Sequence, residues 1–153
     1  MRYEFSQRFH VPAPDAFRWC TDYSPKDYDL MGLKGNRKFK RMLDDVIVLD
    51  DTIHSGNKST RKKKLVRIDP KRMTYYNIHL TGPTKHSLYL YQIVPEGEDG
   101  SRLNYTAYEV YYPKKPPSKK ELADIWGAET VAWKRDWGNL AKAMERELRA
   151  KRS

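Results

Sequence analysis

The feature that most constrains the fold is the run Ile125-Trp126-Gly127-Ala128-Glu129-Thr130-Val131-Ala132-Trp133-Lys134-Arg135-Asp136-Trp137, which holds three of the four tryptophans. At about 100° per residue, Trp126, Trp133, Trp137, Leu140, Met144 and Leu148 fall on one stripe of a helix, with Arg135, Lys142 and Arg146 opposite. Ser118 followed by Glu121 makes a capping box ahead of the stripe, so one long helix is expected over about 119–150. So much indole in one stripe needs a broad apolar partner, and the rest of the chain offers a sheet.

The strand signal begins at the N-terminus, where Tyr3, Phe5, Gln7 and Phe9 alternate with Arg2, Glu4, Ser6 and Arg8. Pro12 and Pro14 close that strand, and two short helices are expected, one around Phe17 to Cys20 and one from Ser24-Pro25 to Met31. After a turn at Gly35-Asn36, strands are expected over 37–43, 46–54, 58–68, 72–80, 84–94 and 102–112. Asp44-Asp45, Ser55-Gly56-Asn57, Asp69-Pro70, Gly82-Pro83 and residues 96–100 separate them. Breaks this short and this rich in turn formers predict antiparallel hairpins. "PKKPPSKK" at 113–120 is a stiff, solvated connector to the long helix.

This order of elements resembles the START-like superfamily, which includes birch-pollen-allergen-like proteins, polyketide cyclase/dehydratase relatives and coenzyme Q-binding proteins. Two segments carry the resemblance. "FHVPAPDAFRWCTDYSPKDY" runs from a strand through an (A/P)-x-P-x-x-x-(F/W) start into two short helices. "YQIVPEGEDGSRLNYTAYEV" is similar to the family's penultimate hairpin. The implied fold is α+β, a helix-grip arrangement in which a seven-stranded antiparallel sheet wraps a long C-terminal helix, all in one domain over 1–153. The resemblance also implies a central cavity for a hydrophobic small molecule such as a lipid, isoprenoid or polyketide. Some members of the superfamily are enzymes and others only carry their ligand.

Strand parity and the helical stripe, with the resemblance of Leu103 to the inward residue that starts the family's last strand setting the face of Tyr105, give candidate cavity residues: Phe5, Tyr75, Asn77, His79, Tyr89, Tyr91, Tyr105, Trp126, Glu129 and Trp133. Residues 84–94 are apolar on both parities, so the inward direction of Tyr89 and Tyr91 is the less constrained assignment. Glu129 falls toward the buried side of the stripe. It either pairs with an arginine or a tyrosine hydroxyl, or stands partly desolvated with a raised pKa. Glu109 and His79 are the other groups able to exchange a proton in such a cavity. No nucleophile motif or phosphate loop is present, so no catalytic set, metal or cofactor is assigned. The three histidines His54, His79 and His86 lie on three strands without ligand spacing.

The net charge is +10, and residues 34–72 alone hold 13 basic residues against 5 acidic ones. A charge run of this kind either keeps sheet edges from pairing or docks on an anionic membrane surface. No nucleic-acid recognition motif accompanies it, which argues against that partner. A lone cysteine, Cys20, and the lack of a signal-peptide pattern give a cytoplasmic expectation. The sequence leaves the oligomeric state open.

Overall fold

The structure is a computed structural model that describes residues 1–151. Arg152 and Ser153, the last two of the expected 1–153 domain, lie outside the described residues. Strand β1 (Arg2–Phe9) leads into helices α1 (Ala13–Cys20) and α2 (Asp27–Leu30). Six strands follow: β2 (Lys34–Leu43), β3 (Val46–Ser55), β4 (Lys58–Asp69), β5 (Thr74–His79), β6 (Leu88–Pro95) and β7 (Ser101–Tyr108). Helix α3 (Lys119–Ala150) ends the fold. The sheet runs in the order β1-β7-β6-β5-β4-β3-β2 with every pair antiparallel. This is the expected helix-grip architecture. Among the described residues no helix is long and apolar enough to cross a membrane.

The capping box forms at the start of α3: Glu121 N donates to Ser118 Oγ, and Ser118 N donates to Glu121 Oε2 at 2.7 Å. The helix buries Trp137, Leu140, Ala141 and Met144 against the concave sheet, where Phe9, Leu103, Tyr105 and Ile93 meet them. Burying a large apolar side chain stabilises the fold by roughly 1.5–3 kcal/mol, so this half of the stripe holds α3 in place. The first turns of α3 are different, since Leu122, Ile125 and Trp126 are exposed.

Several expected boundaries move: β7 ends at Tyr108 rather than at residue 112, and β5 spans Thr74–His79 rather than 72–80. Gly35 and Asn36 belong to β2 rather than to a turn, and Tyr28 packs so closely there that a Cβ on Gly35 would meet its ring at 3.0 Å. Strand β6 starts at Leu88, not residue 84, because Gly82-Pro83 and a left-handed His86 (φ 70°) fold residues 80–87 into successive turns. The short helix α2 begins after Pro25 and spans only Asp27–Leu30, with Gly32 (φ 73°) just beyond it.

Candidate functional site

Register sets the inner wall. Asn77 pairs with Tyr89 and Tyr75 with Tyr91, and Tyr91 in turn pairs with Tyr105, so these side chains share the concave face. Tyr75 and Tyr91 stack at 4.4 Å, and Tyr105 approaches both Tyr91 (5.1 Å) and Trp133 (5.2 Å). The inward direction of Tyr89 and Tyr91 is thereby fixed. Between this aromatic wall, α3 and the two short helices lies a cavity of about 280 Å³. Its lining includes Tyr75, Asn77, His79, Tyr89, Tyr91, Glu109, Glu129 and Trp133.

Three expected lining residues stand elsewhere. Trp126 is 47% exposed, stacks on Tyr3 at 6.2 Å and donates from Nε1 to the Arg2 carbonyl. It lies seven residues before Trp133, about 10 Å along the helix, where only the start of β1 remains to meet it. Phe5 packs on Tyr105 at 4.8 Å, and both belong to the core beside the cavity rather than to its wall. Sheet curvature puts β1 and this part of β7 directly under α3, so their side chains are covered by the helix.

One end of the cavity is charged. Asp51 is fully buried and holds Arg37 (2.9 Å) and Lys64 (2.6 Å), while Arg37 also reaches Asp27 on α2 at 2.7 Å. Burial opposes the charge on Asp51, but Lys64 and Arg37 outweigh it and hold the carboxyl at about 2. Burial dominates at Asp27 and pushes its carboxyl up to about 6, despite Arg37. The Arg37 guanidinium also lies over the rings of Tyr23 and Tyr28. Tyr23 holds a left-handed backbone (φ 51°), a conformation that costs about 1–2 kcal/mol, and its hydroxyl reaches Asn77.

Next to this cluster stand the expected proton-exchanging groups, with His79 directly across the β4–β5 ladder from Lys64. His79 pairs through Nδ1 with Thr84 Oγ1 at 2.8 Å; burial, with Lys64 and Lys62 nearby, lowers its pKa to about 3. It is therefore neutral at ordinary pH. Glu109 is buried and accepts from Tyr89 (2.7 Å) and Tyr111. Glu129 is half-buried on the helix wall, and burial followed by the charge of Glu109 raises its pKa.

Among the described residues, the buried polar atoms with no hydrogen-bond partner are Tyr28 Oη, Tyr75 Oη, Tyr105 Oη and Trp133 Nε1. All are donors, and three belong to cavity-lining residues. An unmet buried donor costs about 1–3 kcal/mol, so a wall that keeps several is suited to a guest that brings acceptors.

The sequence reading missed Tyr23, Tyr28, Arg37, Asp51, Lys62 and Lys64. Parity carried the signal for three of them: Lys62 and Lys64 share a face with buried Val66 and Ile68, and Asp51 shares one with buried Ile47 and Leu49. The expected continuous positive surface over 34–72 accordingly loses Arg37, Lys62 and Lys64, which point inward to the cavity.

No family model matches the chain, and no curated protein matches it in sequence. Solved structures do match. The ZhuI aromatase/cyclase from Streptomyces sp. R1128 has a TM-score of 0.82 at 14% identity, covering 99% of this chain and 97% of that one. TTHA0849 from Thermus thermophilus has a TM-score of 0.75 at 14% identity, covering 100% of both chains. Ara h 8.0201 has a TM-score of 0.64 at 12% identity, with 93% of this chain and 98% of that one covered. The fold is thus START-like, of the kind shared by birch-pollen-allergen-like proteins and aromatase/cyclases.

Proposed function

We propose that this protein binds a hydrophobic small molecule bearing oxygen acceptors, of lipid, isoprenoid or polyketide type, in the cavity between α3 and the sheet. The carrying observation is the polar set on the aromatic part of the wall: Trp133 Nε1 has no partner, and Tyr28 Oη beside the Asp51–Arg37 pair and Tyr75 Oη beside the Cys20 thiol close no full hydrogen bond. Apolar lining with a few convergent polar groups is the usual form of a small-molecule site, and about 280 Å³ lies near the lower end of the range of about 300–1,000 Å³ for such sites. Displacement of N-phenylnaphthylamine by a panel of lipids, isoprenoids and aromatic polyketones tests the reading. Oxygenated guests should displace the dye more strongly from wild type than from Y75F. No displacement by any member of the panel contradicts it.

A second reading is catalysis of the polyketide cyclase/dehydratase type. Glu109 and Glu129 line the same cavity, and burial raises the pKa of Glu129, the direction that favours a general acid. Turnover of an aromatic polyketone, lost in E129Q with retained dye binding, would separate an enzyme from a carrier.

The outer surface has its own reading, docking on an anionic membrane. Phe39, Met42 and Leu43 are exposed on edge strand β2 beside exposed Lys38, Lys40 and Arg41. We place the protein in the cytoplasm on the ground of its single cysteine, Cys20.

A further inference from the structure

Two charged groups of the cavity have no hydrogen bond or ion pair among the described residues. Lys62 lies on the sheet wall and Glu129 on the helix wall. The register explains the free lysine. Asp51 stands directly across from Lys62 in the β3–β4 ladder, yet its carboxylate is occupied by Lys64 and Arg37. Lys62 is left with only the longer-range attraction of Glu109, Glu129 and Asp51.

Its stem is nevertheless held. Gly82 (φ 95°) closes the turn after β5 so tightly that a Cβ there would meet the Arg61 carbonyl at 2.9 Å and Lys62 Cγ at 3.0 Å. Only glycine permits that backbone to lie against the lysine. The stem is thus held near Cγ while the amine makes no hydrogen bond or ion pair among the described residues.

We infer that Lys62 is a nucleophilic amine that captures the carbonyl carbon of an apolar aldehyde or ketone as a reversible imine, with Glu129 passing the protons. The inference rests on the cavity being the ligand site and names the reactive class of its guest. Burial lowers the Lys62 pKa and raises that of Glu129, so a neutral amine and a protonated carboxyl coexist more readily here than on the surface. In the addition step the Nζ lone pair forms the C–N bond, and the carbonyl π electrons move to oxygen. Glu129 donates a proton to that oxygen and recovers one from nitrogen, giving a carbinolamine. A second proton from Glu129 then lets the C–O bond break with loss of water as the nitrogen lone pair forms the C=N bond, and the remaining nitrogen proton returns to Glu129. Amine plus carbonyl gives imine plus water, with no redox change.

The test uses naphthaldehyde, its alcohol naphthalenemethanol, and cyanoborohydride to trap any imine. Both aromatics should displace N-phenylnaphthylamine, and only the aldehyde should add a single naphthylmethyl group, mapped by peptide mass to Lys62. K62R should lose that adduct, and E129Q should form it more slowly than wild type when both are saturated with aldehyde, occupancy being read in each variant by dye displacement. If K62R fails to fold, the wild-type peptide map decides, because the label must favour Lys62 over exposed Lys63. Displacement by both compounds without label on Lys62, or equal label on Lys63, overturns the imine and leaves the cavity reading standing. No displacement by either compound removes both.

Discussion

Lys64 Nζ stands 2.6 Å from Asp51 Oδ2, and this contact, with Arg37 on the other oxygen, decides which lysine of β4 is left free. It also ties three neighbouring strands together inside the cavity. Removing Asp51 leaves Lys64 without its partner and Arg37 with Asp27 alone, and losing one partner of such a buried pair costs about 3–5 kcal/mol. D51A should show a loss of that size in urea unfolding. A loss below about 1 kcal/mol, the scale of an exposed pair, would mean that the cluster is effectively solvated.

His79 gives the fold a pH signature. Its folded pKa is about 3 against an ordinary 6.5, so below 6.5 the unfolded chain binds a proton that the folded one refuses. Its contribution therefore falls as pH drops from about 6.5 towards 3, by at most about 1.4 kcal/mol per unit. Asp27 acts in the opposite sense: its carboxyl, raised to about 6 from 3.8, adds stability as pH falls through that interval. D27N should therefore steepen the acid loss and H79Q should flatten it, as read by unfolding at neutral pH and at about pH 4.5. Identical pH profiles for the two variants would contradict both assignments.

The tryptophans should separate in function. W126A removes an exposed ring stacked on Tyr3 and should cost about 1 kcal/mol, with dye affinity unchanged. W133A opens the cavity wall and should alter dye affinity. Equal effects on binding would place Trp126 at the site after all.

The membrane reading now has a sharper variant than a change of Lys62 or Lys64, which point inward. Lys38, Lys40 and Lys63 are exposed, and each contributes about 1 kcal/mol at an anionic surface. Changing them to serine together with F39S should abolish sedimentation with acidic vesicles and leave thermal stability nearly unaltered. Wild-type recovery in the supernatant at low salt, equal for acidic and neutral vesicles, would end this reading.

The fold was legible because local signals agreed with one another: alternation in β1, turn formers between the later strands, and a capped apolar stripe at the end. Tyr89 and Tyr91 needed the register with Asn77 and Tyr75, since Leu88 and Leu90 make the opposite parity equally apolar. A helical wheel placed Trp126 on the stripe but carries no information about where the sheet ends. Lys62 and Lys64 were read as surface charge because they sit in a basic run, although Val66 and Ile68 share their face. What spacing along the chain does not reveal is the pairing of Lys64 with Asp51, which stands on the strand next to the edge.

The central claim is that α3 and the sheet enclose a ligand site, and calorimetric titration with N-phenylnaphthylamine at several temperatures tests it most directly. Ala132 lines the cavity, so A132W should fill the space without touching the core under Trp137 and Met144. Wild type should bind one dye per chain with a negative heat-capacity change, since apolar surface leaves water, and A132W should lose that binding while remaining folded. Undiminished binding in A132W, or no binding in wild type, would contradict the account.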